Sequence, residues 1–140
     1  MSSFTVRMVE EVCVVPFRTE NGRPEFCLVS VSDDSRWDFP RAPVLPDELR
    51  HVTALRAALE IAGVECELEL PGPLDQFSAS KVESAKTITA FLVRVETENG
   101  EHSVGTGYRR RWCFAEEARV RIRRKPIRRF IDLALRRLQV

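Results

Sequence analysis

The chain has 140 residues, enough for one domain spanning 1–140 with a single hydrophobic core. Hydrophobic residues make up 44% and charged residues 31%, which excludes a disordered or fibrous chain, and no apolar run approaches the ~20 residues that cross a bilayer. Net charge is only +1, yet residues 109–140 hold 12 Lys and Arg against 3 Asp and Glu, while 1–108 hold 10 against 18.

Residues 1–7 carry no continuous apolar stretch, so no secretory signal is expected. Phe4, Val6 and Met8 alternate with polar residues as a strand does, and Val12 to Val15 form an apolar run that either continues it or begins the next. Asn21-Gly22 predicts a tight turn, and residues 25–31 a second strand closing an antiparallel hairpin. Residues 37–46 carry three prolines and predict an ordered loop. Asp47 is the expected N-cap of a helix over 48–62, with Val52, Leu55, Leu59 and Ala62 as its buried stripe and Gly63 as its stop.

Val64, Cys66, Leu68 and Leu70 alternate with glutamates as a half-exposed strand, which Pro71-Gly72-Pro73 ends. Residues 87–95 predict a strongly apolar strand, Asn99-Gly100 a turn and residues 108–114 a last strand. A short helix over 115–120 follows. Pro126 suits the first position of a final helix whose stripe is Ile127, Phe130, Ile131, Ala134 and Leu138. Strands around a central helix and before a terminal one predict an α+β sandwich with a mixed sheet. The cysteines Cys13, Cys27, Cys66 and Cys113 form no Cys-x-x-Cys pair, which points to reduced thiols in a cytoplasmic protein and away from zinc or disulfides.

Within residues 37–64, Trp37, Pro40 and Arg41, then Glu48, Arg56, Glu60, Gly63 and Val64, recur at a spacing that resembles the Nudix hydrolase family, whose signature is G-x5-E-x7-R-E-U-x-E-E-x-G-U, U being a bulky aliphatic residue. Trp37-Asp38-Phe39-Pro40-Arg41 is similar to the Trp-x-x-Pro-Lys element that often precedes it, with Arg41 for Lys. Glu48, Arg56, Glu60, Gly63 and Val64 match the signature without a gap. Ala42 replaces its first Gly, Ala58 is small for U, and Ala57 and Ile61 replace two of its later glutamates. Trp112 to Ala118 resembles the family's W-x-x-x-E-E-A segment. The resemblance implies a Nudix-like α/β/α sandwich with a central mixed β-sheet.

It also implies roles. Glu48 and Arg56 would pair to brace the loop against the helix. Positions 57, 60 and 61 would share one helix face beneath the loop over 40–46, where three carboxylates would hold Mg²⁺ or Mn²⁺. Here Glu60 is the one carboxylate of that set. The expected function is binding of a phosphorylated ligand, a nucleotide or other diphosphate compound, with weak or no hydrolysis. The alternative is an active hydrolase of a nucleoside diphosphate-linked compound, using Mg or Mn with Glu60 and Glu48 as its catalytic carboxylates. Arg41 and Arg56 are the candidate substrate-side cations in either case.

Glu83, Glu96, Glu98 and Glu101 lie where some family members draw a further ligand, although the last three read as solvated residues of a hairpin tip. His51 and His102 read as surface histidines. The basic last third reads either as an anion site, nucleic acid included, or as a solvated face. No membrane partner is expected, and a homodimer is an arrangement that many relatives adopt.

Overall fold

The computed structural model describes residues 7–31, 36–81, 84–100 and 107–139. Strand β1 (Arg7–Glu20) takes in Met8 and the apolar run from Val12 to Val15, Pro16 included, while Phe4 and Val6 lie outside the described residues. At the turn that follows, Asn21 and Gly22 both adopt positive φ, 51° and 78°, the conformation a two-residue hairpin turn needs. The chain returns as β2 (Arg23–Val31), antiparallel to β1 with Glu20 opposite Arg23.

The proline-rich stretch is more regular than its composition predicts. Asp38 bridges to Val29, and Arg41–Pro43 forms a short strand, β3, antiparallel to β1 with Ala42 opposite Val12. A prolyl nitrogen cannot donate to a ladder, and Pro43 sits at the end of this three-residue strand, where one is tolerated.

Helix α1 (Arg50–Ala57) begins two residues later than expected, and its last turn, Ala58–Ala62, is π-helical. Its N-cap is Leu49, whose carbonyl accepts the first helical bonds from Val52 and Thr53. Asp47 does not cap it: φ at Asp47 is +62°, a left-handed turn conformation that Asp tolerates. The buried stripe differs in part: Ala62 is buried and Leu55 packs against the core, as expected. Val52 and Leu59 are 43% and 49% exposed, while Thr53, Ala54, Ala57, Ala58 and Ala62 are fully buried. The helix packs through its small side chains, which let it lie close to the sheet. Gly63, at φ +68°, ends it as predicted.

Strands β4 (Val64–Leu68), β5 (Asp75–Lys81), β6 (Ser84–Glu98) and β7 (Tyr108–Phe114) complete the sheet. Its order is β4-β6-β1-β2-β7, with β3 on β1 and β5 on β6. The β1–β6 pairing is parallel and the rest antiparallel, so the sheet is mixed. Helix α2 (Ala115–Arg121) follows β7, and α3 (Lys125–Arg137) carries Pro126 in its first turn.

Alternation along the long strands sends successive side chains to opposite faces. Cys13, Val15, Leu28, Ile88 and Leu92 pack with Ile127, Phe130, Ile131 and Ala134 of α3. Val12, Val14, Cys27, Val29 and Val93 pack with Ala54, Ala58 and Ala62 of α1. The result is an α/β/α sandwich with α1 on one face of the sheet and α3 on the other. No helix among the described residues is long and apolar enough to cross a membrane.

Candidate functional site

The loop leading into α1 is pinned from below by aromatic side chains. Phe39 is 1% exposed and meets Phe26 edge-on, with ring centroids 6.2 Å apart. Between the buried Trp37 and Phe39, the Asp38 backbone exchanges hydrogen bonds with Val29, and the Asp38 carboxylate accepts the Phe39 N–H at 2.8 Å. Burial raises the Asp38 carboxyl above its ordinary value, against the lowering effect of Arg41. Arg41 lies 3.4 Å from Asp38 and 3.6 Å from Glu11.

Glu48 and Arg56 form a two-pronged ion pair. Arg56 Nε donates to Glu48 Oε2 at 2.9 Å and Nη2 to Oε1 at 3.0 Å. The same guanidinium donates to the Pro43 carbonyl at 3.1 Å and to Glu60 Oε2 at 3.2 Å. Glu48 also accepts the Thr53 hydroxyl at 2.6 Å and the Leu45 N–H at 3.2 Å. Hydrogen bonds from Arg56 and Thr53 hold the Glu48 carboxyl down to about 2. A bidentate guanidinium–carboxylate pair fixes orientation as well as adding attraction. Here it ties the loop at Pro43 and Leu45 to the body of α1.

Beneath the loop lies a cavity of about 330 Å³, lined by Val29, Asp38, Phe39, Pro40, Arg41 and Ile61 among others. Positions 57, 60 and 61 do not present one open face to it. Ala57 is fully covered and lines none of it. Ile61 forms part of its wall. The Glu60 side chain is 60% exposed and paired with Arg56. The π-helical turn over 58–62 breaks the regular three- and four-residue spacing on which the expected shared face depended.

Solved structures of other proteins share this fold. A C. elegans Ap4A hydrolase matches with a TM-score of 0.74 at 17% identity, over 94% of this chain and 98% of that one. A Nudix hydrolase from Nitrosomonas europaea matches with a TM-score of 0.73 at 16% identity, over 91% and 88%. A putative Nudix hydrolase from Listeria monocytogenes gives 0.67 at 20%, over 92% and 93%. The fold is that of the Nudix hydrolases. No family model and no curated protein sequence matches the chain.

Nudix hydrolases usually use Mg or Mn, and the sequence resemblance expects such a cation at positions 57, 60 and 61. The donor set present does not fit one. Ala57 and Ile61 have no ligating atom, Glu60 is engaged with Arg56, and both oxygens of Glu48 are committed to Arg56, Thr53 and Leu45. Hard cations take several oxygens in one small volume. Among the described residues no cluster of three or more Asp, Glu, His or Cys is placed to hold a metal.

Of the downstream carboxylates, Glu96 and Glu98 do not line the cavity. Glu96 pairs with Arg94 at 3.0 Å. Glu98, expected as a solvated tip residue, accepts the Trp112 indole N–H and an Arg18 N–H, each at 2.8 Å. His51 lines a separate surface hollow with Glu10 and Arg50 near the N-terminus of α1. Glu83, Glu101 and His102 lie outside the described residues.

Sequence reasoning passed over Arg36, Asp38 and Tyr108, which line the cavity beside Arg41. Asp38 sat in plain view within the Trp-x-x-Pro element. Tyr108 comes from the far end of the chain, and only the β2–β7 pairing brings it here.

Proposed function

We propose that this chain is a Nudix-fold domain that binds a phosphorylated small molecule, a nucleotide or other diphosphate compound, with weak or no hydrolysis. The observation that carries the reading is the combination at the helix. The Glu48–Arg56 brace that shapes the loop is intact, while two of the three positions that would hold a catalytic cation carry Ala57 and Ile61. Metal-assisted hydrolysis needs a cation to polarise the phosphate and to make hydroxide at neutral pH. Ile61 supports the reading further, because its apolar side chain fills the wall of the cavity where a hydrated ion would sit. Arg41, at the same cavity, is the cation we assign to the ligand's phosphate.

Metal titration tests this. Wild type is expected to give no saturable Mg²⁺ or Mn²⁺ binding by calorimetry, no metal-dependent rise in Tm and no release of phosphate or nucleotide from a panel of diphosphate compounds. The double variant Ala57→Glu, Ile61→Glu puts carboxylates at the two signature positions that lack them, one fully buried and one in the cavity wall. Ala57 is fully buried, so a carboxylate there lowers stability by about 3 kcal/mol or more without metal. Ala57 lines none of the cavity and Glu60 is turned to Arg56, so millimolar Mn²⁺ should not recover that loss. Saturable metal binding by wild type, or metal-dependent hydrolysis, overturns the proposal in favour of an active hydrolase with a different ligand set.

A further inference from the structure

Arginines spread over the sheet and α1 meet carboxylates of the chain itself. Arg18, Arg23, Arg50, Arg56, Arg94 and Arg110 each form an ion pair. Helix α3 differs. Lys125, Arg128 and Arg136 make no ion pair with any described residue. Arg129 lies 3.9 Å from Asp75 with its side chain 69% exposed. The acidic residue of the helix, Asp132, is held by Arg119 at 2.7 Å.

These cations share one side of the helix. At about 100° per residue, Lys125, Arg128, Arg129 and Arg136 fall within roughly 100° of its circumference, and the rise from Lys125 to Arg136 is about 16 Å. The opposite side holds Ile127, Phe130, Ile131 and Ala134, all buried in the core. The cationic side therefore faces outward, and Lys125, Arg129 and Arg136 are exposed.

Helix stability does not account for the placement. The N-terminal end of a helix carries partial positive charge, so acidic residues favour its first turn and basic ones oppose it. The first turn of α3 has no acidic residue and holds Lys125 and Arg128. No carboxylate of a described residue offsets them there, whereas an external polyanion does. Arg136, in the last turn, is the one that suits the dipole.

We infer that the outward face of α3 docks on the sugar–phosphate backbone of a double-helical nucleic acid, without reading its bases. Guanidinium forks match phosphate oxygens, and a duplex carries about one negative charge per 1.7 Å of its axis, so a row of this length meets several phosphates. Single strands are held largely by stacking of bases on aromatic rings. The exposed large apolar side chains among the described residues are Met8, Leu45, Leu49, Val52, Leu59 and Val120, with no aromatic ring among them and none on α3. An anionic membrane is the poorer partner for a related reason: a helix that lies in lipid inserts its apolar stripe, and that of α3 is in the core. The rest of the chain orients the contact. Residues 1–108 hold 10 Lys and Arg against 18 Asp and Glu, so a duplex repels them and attracts α3.

Fluorescence anisotropy with a labelled DNA duplex of about 20 base pairs tests it. Each neutralised phosphate adds about 0.9 to the slope of log K against log salt, so four contacts give a slope of about −3.6 and a loss of about 100-fold between roughly 50 and 200 mM salt. Two duplexes of unrelated sequence should bind within about twofold of each other. Lys125→Gln with Arg128→Gln and Arg136→Gln should bring the slope to about −1. Lys125→Gln alone should reduce its magnitude by about one, with no fall in Tm. Arg23→Gln with Arg50→Gln and Arg94→Gln removes the same charge from other faces and should leave the slope unchanged. No binding of the duplex at about 50 mM salt overturns the inference, as does a slope that the α3 substitutions leave unaltered or that both triple variants change equally. A single strand of the same length, a phosphatidylserine vesicle or polyglutamate that binds wild type more tightly than the duplex also overturns it, since each assigns the face to a different partner.

Discussion

Arg56 joins three parts of the loop–helix unit: the carboxylate of Glu48, the carbonyl of Pro43 and the carboxylate of Glu60. The motif spacing made the Glu48–Arg56 pair legible, since eight residues separate the two and the resemblance assigns them to each other. The Glu60 contact was legible as an ordinary four-residue helical pair. What the spacing could not convey is how differently Ala57 and Ile61 are placed, because that depends on the π-helical turn between them. The pair has a pH signature. Its carboxyl falls from an ordinary 4.5 to about 2 on folding, so its stabilisation is complete above pH 4.5 and is lost as pH drops toward 2. Arg56→Met should therefore lower Tm by several degrees at pH 7, and the gap from wild type should close between about pH 4.5 and 2. Melts across that range check it, and a gap that stays constant would mean the pair contributes nothing. Glu117, held down to about 2 by Arg121 and Arg111, loses its own contribution over the same range in both proteins, so the comparison between them isolates Arg56.

At the level of elements, periodicity located the helices and most strands, and it failed where tertiary contacts override local pattern. The α1 stripe was assigned to Val52, Leu55, Leu59 and Ala62; Ala62 is buried and Leu55 packs against the core, but Val52 and Leu59 are exposed because the sheet accepts the alanine face, whose small side chains let the helix lie close. Strand β5 went unseen because its sequence, DQFSASK, has a single large apolar residue and owes its conformation to pairing with β6. The end of α1 depends on a residue from the opposite end of the chain. Arg110 of β7 donates to the carbonyls of Ala62 at 2.8 Å, Gly63 at 3.4 Å and Asn99 at 3.0 Å, closing the π-helical turn against the β6 end. In sequence Arg110 was one of three consecutive arginines, with nothing to separate it from Arg109 and Arg111. Arg110→Met should destabilise by about 2 kcal/mol, since it leaves helix-end carbonyls without their donor. Urea unfolding measures this, and a loss below about 0.5 kcal/mol would mean that water replaces the guanidinium at no cost.

Across the whole molecule, the order of elements was enough to anticipate the sandwich, but the charge map was not. The sequence suggests an acidic body and a basic tail. The structure instead sets tail arginines against carboxylates of both regions, as in Arg110 with Glu98 and Arg119 with Asp132. The two cores are joined by β1, which gives Cys13 and Val15 to the α3 side and Val12 and Val14 to the α1 side. Neither layer can come away without exposing the face of a strand that the other one needs, so the layers should unfold together. The thiols report on this directly. Cys13 and Cys113 lie in the α3-side core and Cys27 in the α1-side core. Burial raises all three well above the ordinary thiol range, Cys113 to about 11, so the folded chain presents almost no reactive thiolate at pH 8. Alkylation during urea unfolding should bring Cys13, Cys27 and Cys113 into reaction at one common midpoint, the same as that of the circular dichroism transition. If Cys27 reacts at lower urea than Cys13 and Cys113, α1 leaves the sheet before α3 does, and the shared strand does not couple the two layers.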